Sequence, residues 1–253
     1  MATVTHAAAR RPRAYVRVKG PDAVGFLDRV LSNELPVSGS VDALLLTPKA
    51  RVIAPLLVWR RAGDDVLLLT EPELGEVVRR HLVRMRLAAR CEVEPEEHVS
   101  TIVLGGGVEG IPNRDYGRPA VEVLDAALEP TLGDDDLERL RIEAATPRFG
   151  REIDDRVLPA EAGLDERAVS FTKGCFPGQE PVARQRHRGK VNRRLRVLEV
   201  EGDAPLPETA VVHGEREVGR ITSAVPGIAL AYVRVEVPAD APLVVGGRRA
   251  RLH

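Results

Sequence analysis

A cysteine that lies between two glycines, close to a lysine, is the feature of this sequence best suited to chemistry. The segment covers residues 171–180 and reads FTKGCFPGQE. Glycine lets the backbone adopt positive φ and approach a ligand closely, and a lysine on the same face as Cys175 would favour its thiolate. Cys175 with Lys173 is therefore the candidate reactive thiol, and the alternative is a cysteine packed in an ordinary turn.

An arginine-rich stretch follows this segment directly. Its basic residues are Arg184, Arg186, His187, Arg188, Lys190, Arg193, Arg194 and Arg196. In an extended chain, Arg184, Arg186 and Arg188 would point to one face and could seat a carboxylate or a phosphate. A solvated charged surface and RNA binding are the other interpretations. Aromatic residues make up only 3% of the chain and leave few stacking platforms for bases, so nucleic acid is not expected as a direct partner.

The remaining motifs indicate no metal, dinucleotide or disulfide chemistry. Residues 105–110 match the spacing G-x-G-x-x-G, but Pro112 follows and no apolar helical face appears, so we expect a loop. His187 and His213 have no partner at metal-ligand spacing. Cys91 is expected to be a buried, inert thiol. With two cysteines in the chain, neither a disulfide framework nor a four-iron cluster held by one copy is expected.

The composition is that of a globular protein from a reducing compartment. The chain has 253 residues, of which 43% are hydrophobic and 30% charged, so two or three packed units are expected rather than disorder. A formal net charge of -1 gives no long-range field that would gather nucleic acid or an anionic membrane. The N-terminal stretch lacks an apolar signal region, and no segment approaches the roughly 20 apolar residues of a membrane span. A cytoplasmic protein without membrane contact is therefore expected.

The spacing of apolar residues predicts the elements that must position these groups. It predicts a strand meander followed by a helix over residues 72–90, and short strands between Gly, Pro and Asp turns beyond residue 192. Strands and helices alternate irregularly, which indicates an α+β fold. We expect three parts: a discontinuous lobe of residues 1–42 and 99–194, an inserted lobe of residues 43–98, and a C-terminal β-barrel of residues 195–253.

Residues 173–180, KGCFPGQE, resemble the K-G-C-[FY]-x-G-Q-E signature of the YgfZ-type folate-binding proteins, relatives of the glycine-cleavage T-protein, an aminomethyltransferase. Three more segments resemble family elements in the same order: LLLTPKAR at 44–51, LRIEAATPRFG at 140–150 and LPAEAGL at 158–164. The resemblance implies an aminomethyltransferase-like folate-binding fold, with mixed strand and helix lobes around a central cavity and a small C-terminal β-barrel.

The same resemblance implies a ligand and a function. A protein of this kind is expected to bind tetrahydrofolate or a derivative and to support the assembly or repair of iron-sulfur clusters in enzymes, including tRNA-modifying ones. Its protein partners would be iron-sulfur enzymes or cluster-assembly proteins, contacted transiently. Besides Lys173 and Cys175, the residues expected at the folate site are Arg141, Glu143, Arg148, Phe171, Gly174, Phe176, Gly178, Gln179, Glu180 and Arg184.

Folate chemistry suggests how these residues would divide the ligand among them. A pterin needs hydrogen-bonding groups along one edge, an apolar slot for its ring and a cation for its glutamate tail. Glu143, Gln179 and Glu180 could bind the edge. Phe171 and Phe176 could form the slot, and Arg141, Arg148 or Arg184 could bind the tail.

A folate-dependent aminomethyl transferase is the alternative function. Where the T-protein resemblance implies an acidic pair, this chain has Ala54 and Pro55, and a proline cannot polarise an amine. Arg118 stands where the resemblance implies a pterin-binding glutamate, and Ala145 stands where it implies a glycine. These differences favour an accessory protein over an enzyme and leave other one-carbon chemistry open.

Overall fold

The chain folds as two antiparallel sheets with flanking helices, followed by a closed barrel. The computed structural model describes residues 6–188 and 191–253, without the side chains of residues 187 and 188. The elements of the first part of the chain are β1 (Ala7–Arg10), β2 (Ala14–Lys19), α1 (Ala23–Val30), β3 (Gly39–Leu46), β4 (Val52–Ala62), β5 (Asp65–Thr70), α2 (Gly75–Arg86) and β6 (Glu92–Glu96).

The second half of the chain begins with three short strands. The elements are β7 (Ser100–Leu104), β8 (Ile111–Asn113), β9 (Ala120–Leu124), α3 (Asp134–Glu143), α4 (Leu164–Ala168), α5 (Gln179–Arg188), β10 (Arg193–Val200), β11 (Ala210–His213), β12 (Arg216–Val225), β13 (Ile228–Arg234), β14 (Leu243–Val245) and β15 (Arg248–Leu252). The predicted α+β class is confirmed.

A five-stranded antiparallel sheet forms the first core, in the order β3-β4-β5-β2-β6. Alternate residues of its strands, such as Val16 and Leu68, face α1 and α2 and pack with Leu27 and Leu82. The helix predicted over residues 72–90 is a single turn at Pro72–Leu74 followed by α2. It ends at Arg86 because Leu87 adopts φ 49°, outside the helical region.

This sheet draws strands from both sides of the lobe boundary expected at residue 43. Strand β2 pairs with β5 and β6, and β3 spans the boundary itself. One face of β2 packs on the helices, and its other face packs toward the second sheet. Because both faces are apolar, the strand lies between β5 and β6 inside the sheet. The division at residue 43 therefore does not coincide with a break in the sheet.

The second sheet has four strands, in the order β1-β7-β9-β8. One of its contacts is with the free face of the first sheet, where Ile111 and Leu124 pack with Leu67 and Leu69. Another is with α3, through Leu137. The glycine-rich residues 105–110 form bends between β7 and β8 with no helix, as predicted.

The C-terminal strands close into a six-stranded barrel, in the order β10-β13-β12-β11-β14-β15. This confirms the predicted β-barrel. Ile142 of α3 packs against Leu230 of β13, so the barrel lies against this helix, which contains the start of the LRIEAATPRFG segment. None of the helices in the described part of the chain is long and apolar enough to cross a membrane.

The arginine-rich stretch is partly helical, which corrects one prediction. Residues 179–188 form α5, so Arg184, Arg186 and Arg188 do not share a strand face. Pro181 lies in the first turn, where a proline is tolerated, and Val182 is buried on the inner side of the helix. The strand begins only at Arg193.

Candidate functional site

A central cavity lies where β3, β4 and α4 meet the segments around the second sheet and α3. The space inside it that is open to water-sized molecules is about 50 Å³. Leu44, Leu56, Leu57 and Leu164 form apolar walls. The charged residues at its surface are Arg11, Arg13, Arg141, Arg148, Arg167, Asp42, Glu71 and Asp115.

Two arginines and two aspartates, all partly buried, form a charge network in this cavity. Arg167 donates from Nε to Asp42 (2.8 Å) and from Nη2 to Asp115. Arg13 contacts the other oxygen of Asp115 at 3.3 Å and pairs with Glu122, which is fully buried, at 2.9 Å. Burial acts to raise the pKa of Asp115, but the charges of Arg167 and Arg13 outweigh it and hold that pKa well below its usual value. Asp115 therefore stays ionised at neutral pH.

Acid should destabilise the protein through these carboxylates. The folded-state pKa of Asp115 lies below its ordinary value near about 4, so the stabilisation it contributes is complete above that pH and is lost as the pH falls through the folded pKa. The free energy of unfolding of the unaltered protein should fall in acid. In Asp115→Asn this fall should be smaller by on the order of 2 kcal/mol. Urea unfolding of both proteins at a series of pH values from 7 downward measures this loss.

The control for this experiment is Asp155→Asn, at a side chain that is 91% exposed. It should leave the acid dependence as it is in the unaltered protein, because solvent screens an exposed charge. An Asp115→Asn protein with an unchanged acid dependence would contradict the assigned network.

Arg141, predicted at the folate site, lines the cavity but is engaged inside the protein. Its Nε and Nη2 donate to Glu138 at 2.9 and 2.6 Å. Its Nη1 donates to Glu152 (3.0 Å) and to the carbonyl of Thr146 (2.6 Å). Arg141 therefore ties α3 to the segment that follows it and offers few donors to a ligand.

Arg148 and Arg11 have free donors at the same cavity. The Nε of each is buried and has no hydrogen-bond partner among the described residues. Arg148 approaches Glu71 at 3.9 Å and Glu138 at 3.7 Å, which are ion-pair distances but too long for hydrogen bonds. A buried donor without a partner costs free energy, so this part of the cavity favours a ligand or water that brings an acceptor oxygen.

The cysteine loop lies at a different place, on the turn between β3 and β4. Gly178 has φ +83°, and a Cβ there would meet the carbonyl oxygen of Thr47 at 2.6 Å. Phe176 is buried in the cluster that includes Val52, and Phe171 stacks under Arg186, with Cζ 4.1 Å from the ring centre. Phe176 and Gly178 therefore serve the packing of this loop.

Lys173 does not share a face with Cys175, which corrects the predicted arrangement. The ammonium of Lys173 donates to the carbonyls of Leu31 (3.0 Å) and Asn33 (2.7 Å), and only 4% of its side chain is exposed. Burial lowers its pKa. Cys175 is exposed. Lys173 therefore closes the carboxyl end of α1, while the thiol faces solvent. Across the described ranges 6–188 and 191–253, no three His, Cys, Asp or Glu side chains are placed to hold a metal ion.

The other predicted site residues do not meet at the cavity. Glu143, Gly174 and Glu180 are exposed, and Gln179 begins α5. Glu180 pairs with Arg184 on the surface of that helix. Of the predicted set, the cavity lining contains Arg141 and Arg148. Cys91 is buried, as predicted, and burial raises the pKa of its thiol.

The sequence did not single out most of the residues that give the cavity its charge. These are Arg11, Arg13, Asp42, Glu71, Asp115 and Arg167. A usable signal was present at two of them, since Asp42 directly precedes and Glu71 directly follows a run predicted as a buried strand. A charged residue at such a strand end often faces a site, because the strand holds it beside the core.

The two positions at which the resemblance implies acidic residues lie on two faces of β4. Pro55 lines the cavity, whereas Ala54 is fully buried on the opposite face. Arg118 is exposed and is not part of the cavity lining. Ala145 has φ 51°, the conformation that favours the glycine implied by the resemblance.

Comparison with solved structures defines the class. The structure matches the crystal structure of the glycine cleavage system aminomethyltransferase T from Bartonella henselae with a TM-score of 0.81, at 18% sequence identity, over 98% of this chain and 85% of that one. Residues 192–253 match the family description "CAF17, C-terminal beta-barrel domain". The protein therefore has the aminomethyltransferase-like fold with a C-terminal barrel of this type.

Curated relatives define the family more closely. The chain is 33% identical to the mitochondrial iron-sulfur cluster assembly factor IBA57 of Mus musculus, over 80% of this chain and 68% of the relative. The Homo sapiens protein of that name is 31% identical over the same shares. An aminomethyltransferase from Moorella thermoacetica is 28% identical, over 82% of this chain and 71% of the relative. The chain belongs to the family of the iron-sulfur cluster assembly factor IBA57.

Proposed function

We propose that this protein is an accessory factor in iron-sulfur cluster assembly that binds a tetrahydrofolate in its central cavity and transfers no one-carbon group. The observation that carries the proposal is the cavity itself, which combines three carboxylates with a wall at Pro55. The relatives named as iron-sulfur cluster assembly factors support the cluster role. Its clients would be iron-sulfur enzymes, tRNA-modifying ones among them, as for YgfZ-type proteins, and its location would be cytoplasmic.

The types of residue that line the cavity match the groups of a reduced folate, and its space of about 50 Å³ would have to widen to admit the pterin ring. Asp42, Glu71 and Asp115 supply acceptors for the donor edge of a pterin, which carries an amino group and a ring N–H. The unpartnered Nε groups of Arg11 and Arg148 supply donors for its carbonyl oxygen. Leucine side chains line the rest, where an aromatic ring would lie. When bound, a tetrahydrofolate would supply a reduced pterin able to carry a one-carbon unit.

The resemblance implies that the related transferases carry acidic residues at two positions of strand β4. This chain has no acidic residue at either position. Pro55 has no ionisable group, and Ala54 points away into the core. The three carboxylates that line the cavity are ion-paired with arginines. These arginines lower the pKa of Glu71 and of Asp115. They can hold a ligand, but they are poorly placed to take a proton from an amine.

Cys175 is the group proposed to act in cluster handling. Its thiol is exposed on the loop that packs on the turn between β3 and β4. A four-iron cluster is normally held by four thiolates, and the other cysteine of this chain is buried. Cys175 would therefore contact a cluster or a persulfide only while a partner protein supplies the remaining ligands.

Folate binding is tested by anaerobic calorimetric titration with tetrahydrofolate. We expect saturable binding near micromolar, about -8 kcal/mol. Asp42→Asn should weaken it by at least about tenfold, because a charge-assisted hydrogen bond to a ligand is replaced by a neutral one. Asp42 suits the test because its carboxylate accepts only from Arg167 among the described residues.

Glu143→Gln is the matched control for this titration. Glu143 carries the same charge and belongs to the resemblance motif, but it is exposed and does not line the cavity. Its variant should bind as the unaltered protein does, and thermal melts should show all three proteins folded. Absence of tetrahydrofolate binding by the unaltered protein, or an equal effect of both substitutions, would overturn the assignment of the cavity.

A further inference from the structure

A second groove adjoins the central cavity, between the segments that flank α4 and strand β10. The space inside it that is open to water-sized molecules is about 270 Å³. Four residues line both spaces, namely Thr146, Pro147, Leu164 and Arg167. A ligand seated in the cavity therefore has this groove as its immediate neighbour.

The groove carries an excess of positive charge. Arg194 and Arg196, two residues apart on β10, are both exposed and line it together with Arg167. Its one acidic lining residue, Glu161, is bonded to Arg193 at 3.2 Å. Neither Arg194 nor Arg196 has a carboxylate within 4.0 Å in the described part of the chain.

Other arginines of the barrel do have carboxylate partners. Arg220 pairs with Glu208, Arg251 pairs with Glu199, and Arg216 pairs with Glu236. An exposed arginine beside a carboxylate on the same sheet is a solvated surface pair. Two unpaired arginines that line one groove are instead free to bind an anion from outside the chain.

Small residues make up part of the lining of the groove and leave room for a ligand. They are Ala144, Ala145, Ala160, Ala162 and Gly163. The space on the other side of the cavity, toward the amino end of α3, is lined by five arginines and five acidic residues and has no net charge. A polyanionic chain that leaves the cavity is therefore attracted to the groove at β10 and not to the opposite side.

We propose that this groove binds the poly-γ-glutamyl tail of a folate and selects polyglutamylated forms over the monoglutamate. Arg194 and Arg196 contact the carboxylates of the second and later glutamates. The inference rests on the proposed folate site, because the first part of the ligand must lie in the central cavity. The basic stretch would thus distinguish polyglutamylated folates from the monoglutamate, which the cavity residues alone do not do.

The test compares tetrahydrofolate with its pentaglutamate form by anaerobic calorimetry on the full chain. The unaltered protein should bind the pentaglutamate about tenfold more tightly, the effect expected of two exposed arginine-carboxylate contacts. In the double variant Arg194→Gln, Arg196→Gln the pentaglutamate affinity should fall to that of the monoglutamate. The monoglutamate affinity should stay within about twofold, and added salt should erase the preference.

Arg249→Gln is the control, because Arg249 is another exposed arginine of the barrel but lies outside the groove. It should keep the full preference. Equal affinities of the unaltered protein for the two ligands, or a preference that survives the double substitution, would overturn the groove assignment while leaving the folate site intact. Binding of neither ligand would overturn the proposed folate site and the groove with it.

Discussion

Replacing Cys175 by serine should abolish the contribution of this protein to iron-sulfur enzyme activity while leaving its fold and its tetrahydrofolate affinity unchanged. The side chain is exposed on a loop, so its replacement by serine should cost little packing. A hydroxyl is a poor substitute for a thiolate, which is the form that binds iron and exchanges sulfur. The measurement is the activity of iron-sulfur enzymes in cells that lack the gene and are supplied with each variant. Only the thiol chemistry is changed in this substitution.

Cys91→Ala provides the comparison within the same chain. Cys91 is buried beside the end of α2, and burial raises the pKa of its thiol, so it is a packing residue. Its variant should restore enzyme activity as the unaltered protein does, with a small loss of stability. Full restoration of activity by Cys175→Ser would show that the thiol has no part in the function, whatever the role of the folate cavity.

The architecture could be predicted from the sequence because it depends on the spacing of apolar residues, which long-range interactions seldom override. The apolar period of α2 and the short strands of the barrel follow directly from side-chain spacing. The position of β2 could not be predicted in this way. Its pairing with β5 and β6 is a long-range choice that spacing within one strand does not encode.

The candidate site was harder to predict than the fold, because residue type does not reveal which partner a side chain meets. Arg141 was expected to bind folate, yet Glu138 and Glu152 engage its guanidinium. Arg148, from the same motif, keeps the free donors. Only the folded arrangement distinguishes an arginine that holds the cavity wall from one that faces a ligand.

Residue type also did not reveal the secondary structure of the basic stretch. Alternating arginines at 184, 186 and 188 fit a strand face, but the same residues also fit an exposed helix surface, and Val182 buries the inner side of α5. Strand alternation is real further along, where Arg194 and Arg196 lie on β10. The anion-binding site was expected at Arg184, Arg186 and Arg188. It is proposed instead at Arg194 and Arg196.

Gly178→Ala should lower the free energy of unfolding by about 3 kcal/mol. The left-handed backbone at φ +83° costs an L-residue about 1–2 kcal/mol. The added Cβ would lie 2.6 Å from the carbonyl oxygen of Thr47 and 3.1 Å from the Cα of Ala50, and such overpacking costs about 1–3 kcal/mol. Both obstacles are backbone atoms, so no side-chain rotation relieves them. Urea unfolding with equal slopes for both proteins measures the difference.

Gly174→Ala separates this contact from any general demand for glycine in the signature. Gly174 lies in the same loop, but a Cβ there meets no atom within 4 Å and its φ is not positive. The change should alter stability by less than about 0.5 kcal/mol. Similar losses in both variants would mean that the loop needs flexibility at each glycine. A loss confined to Gly178→Ala supports close docking of the loop on the turn between β3 and β4, which fixes the position from which Cys175 reaches solvent.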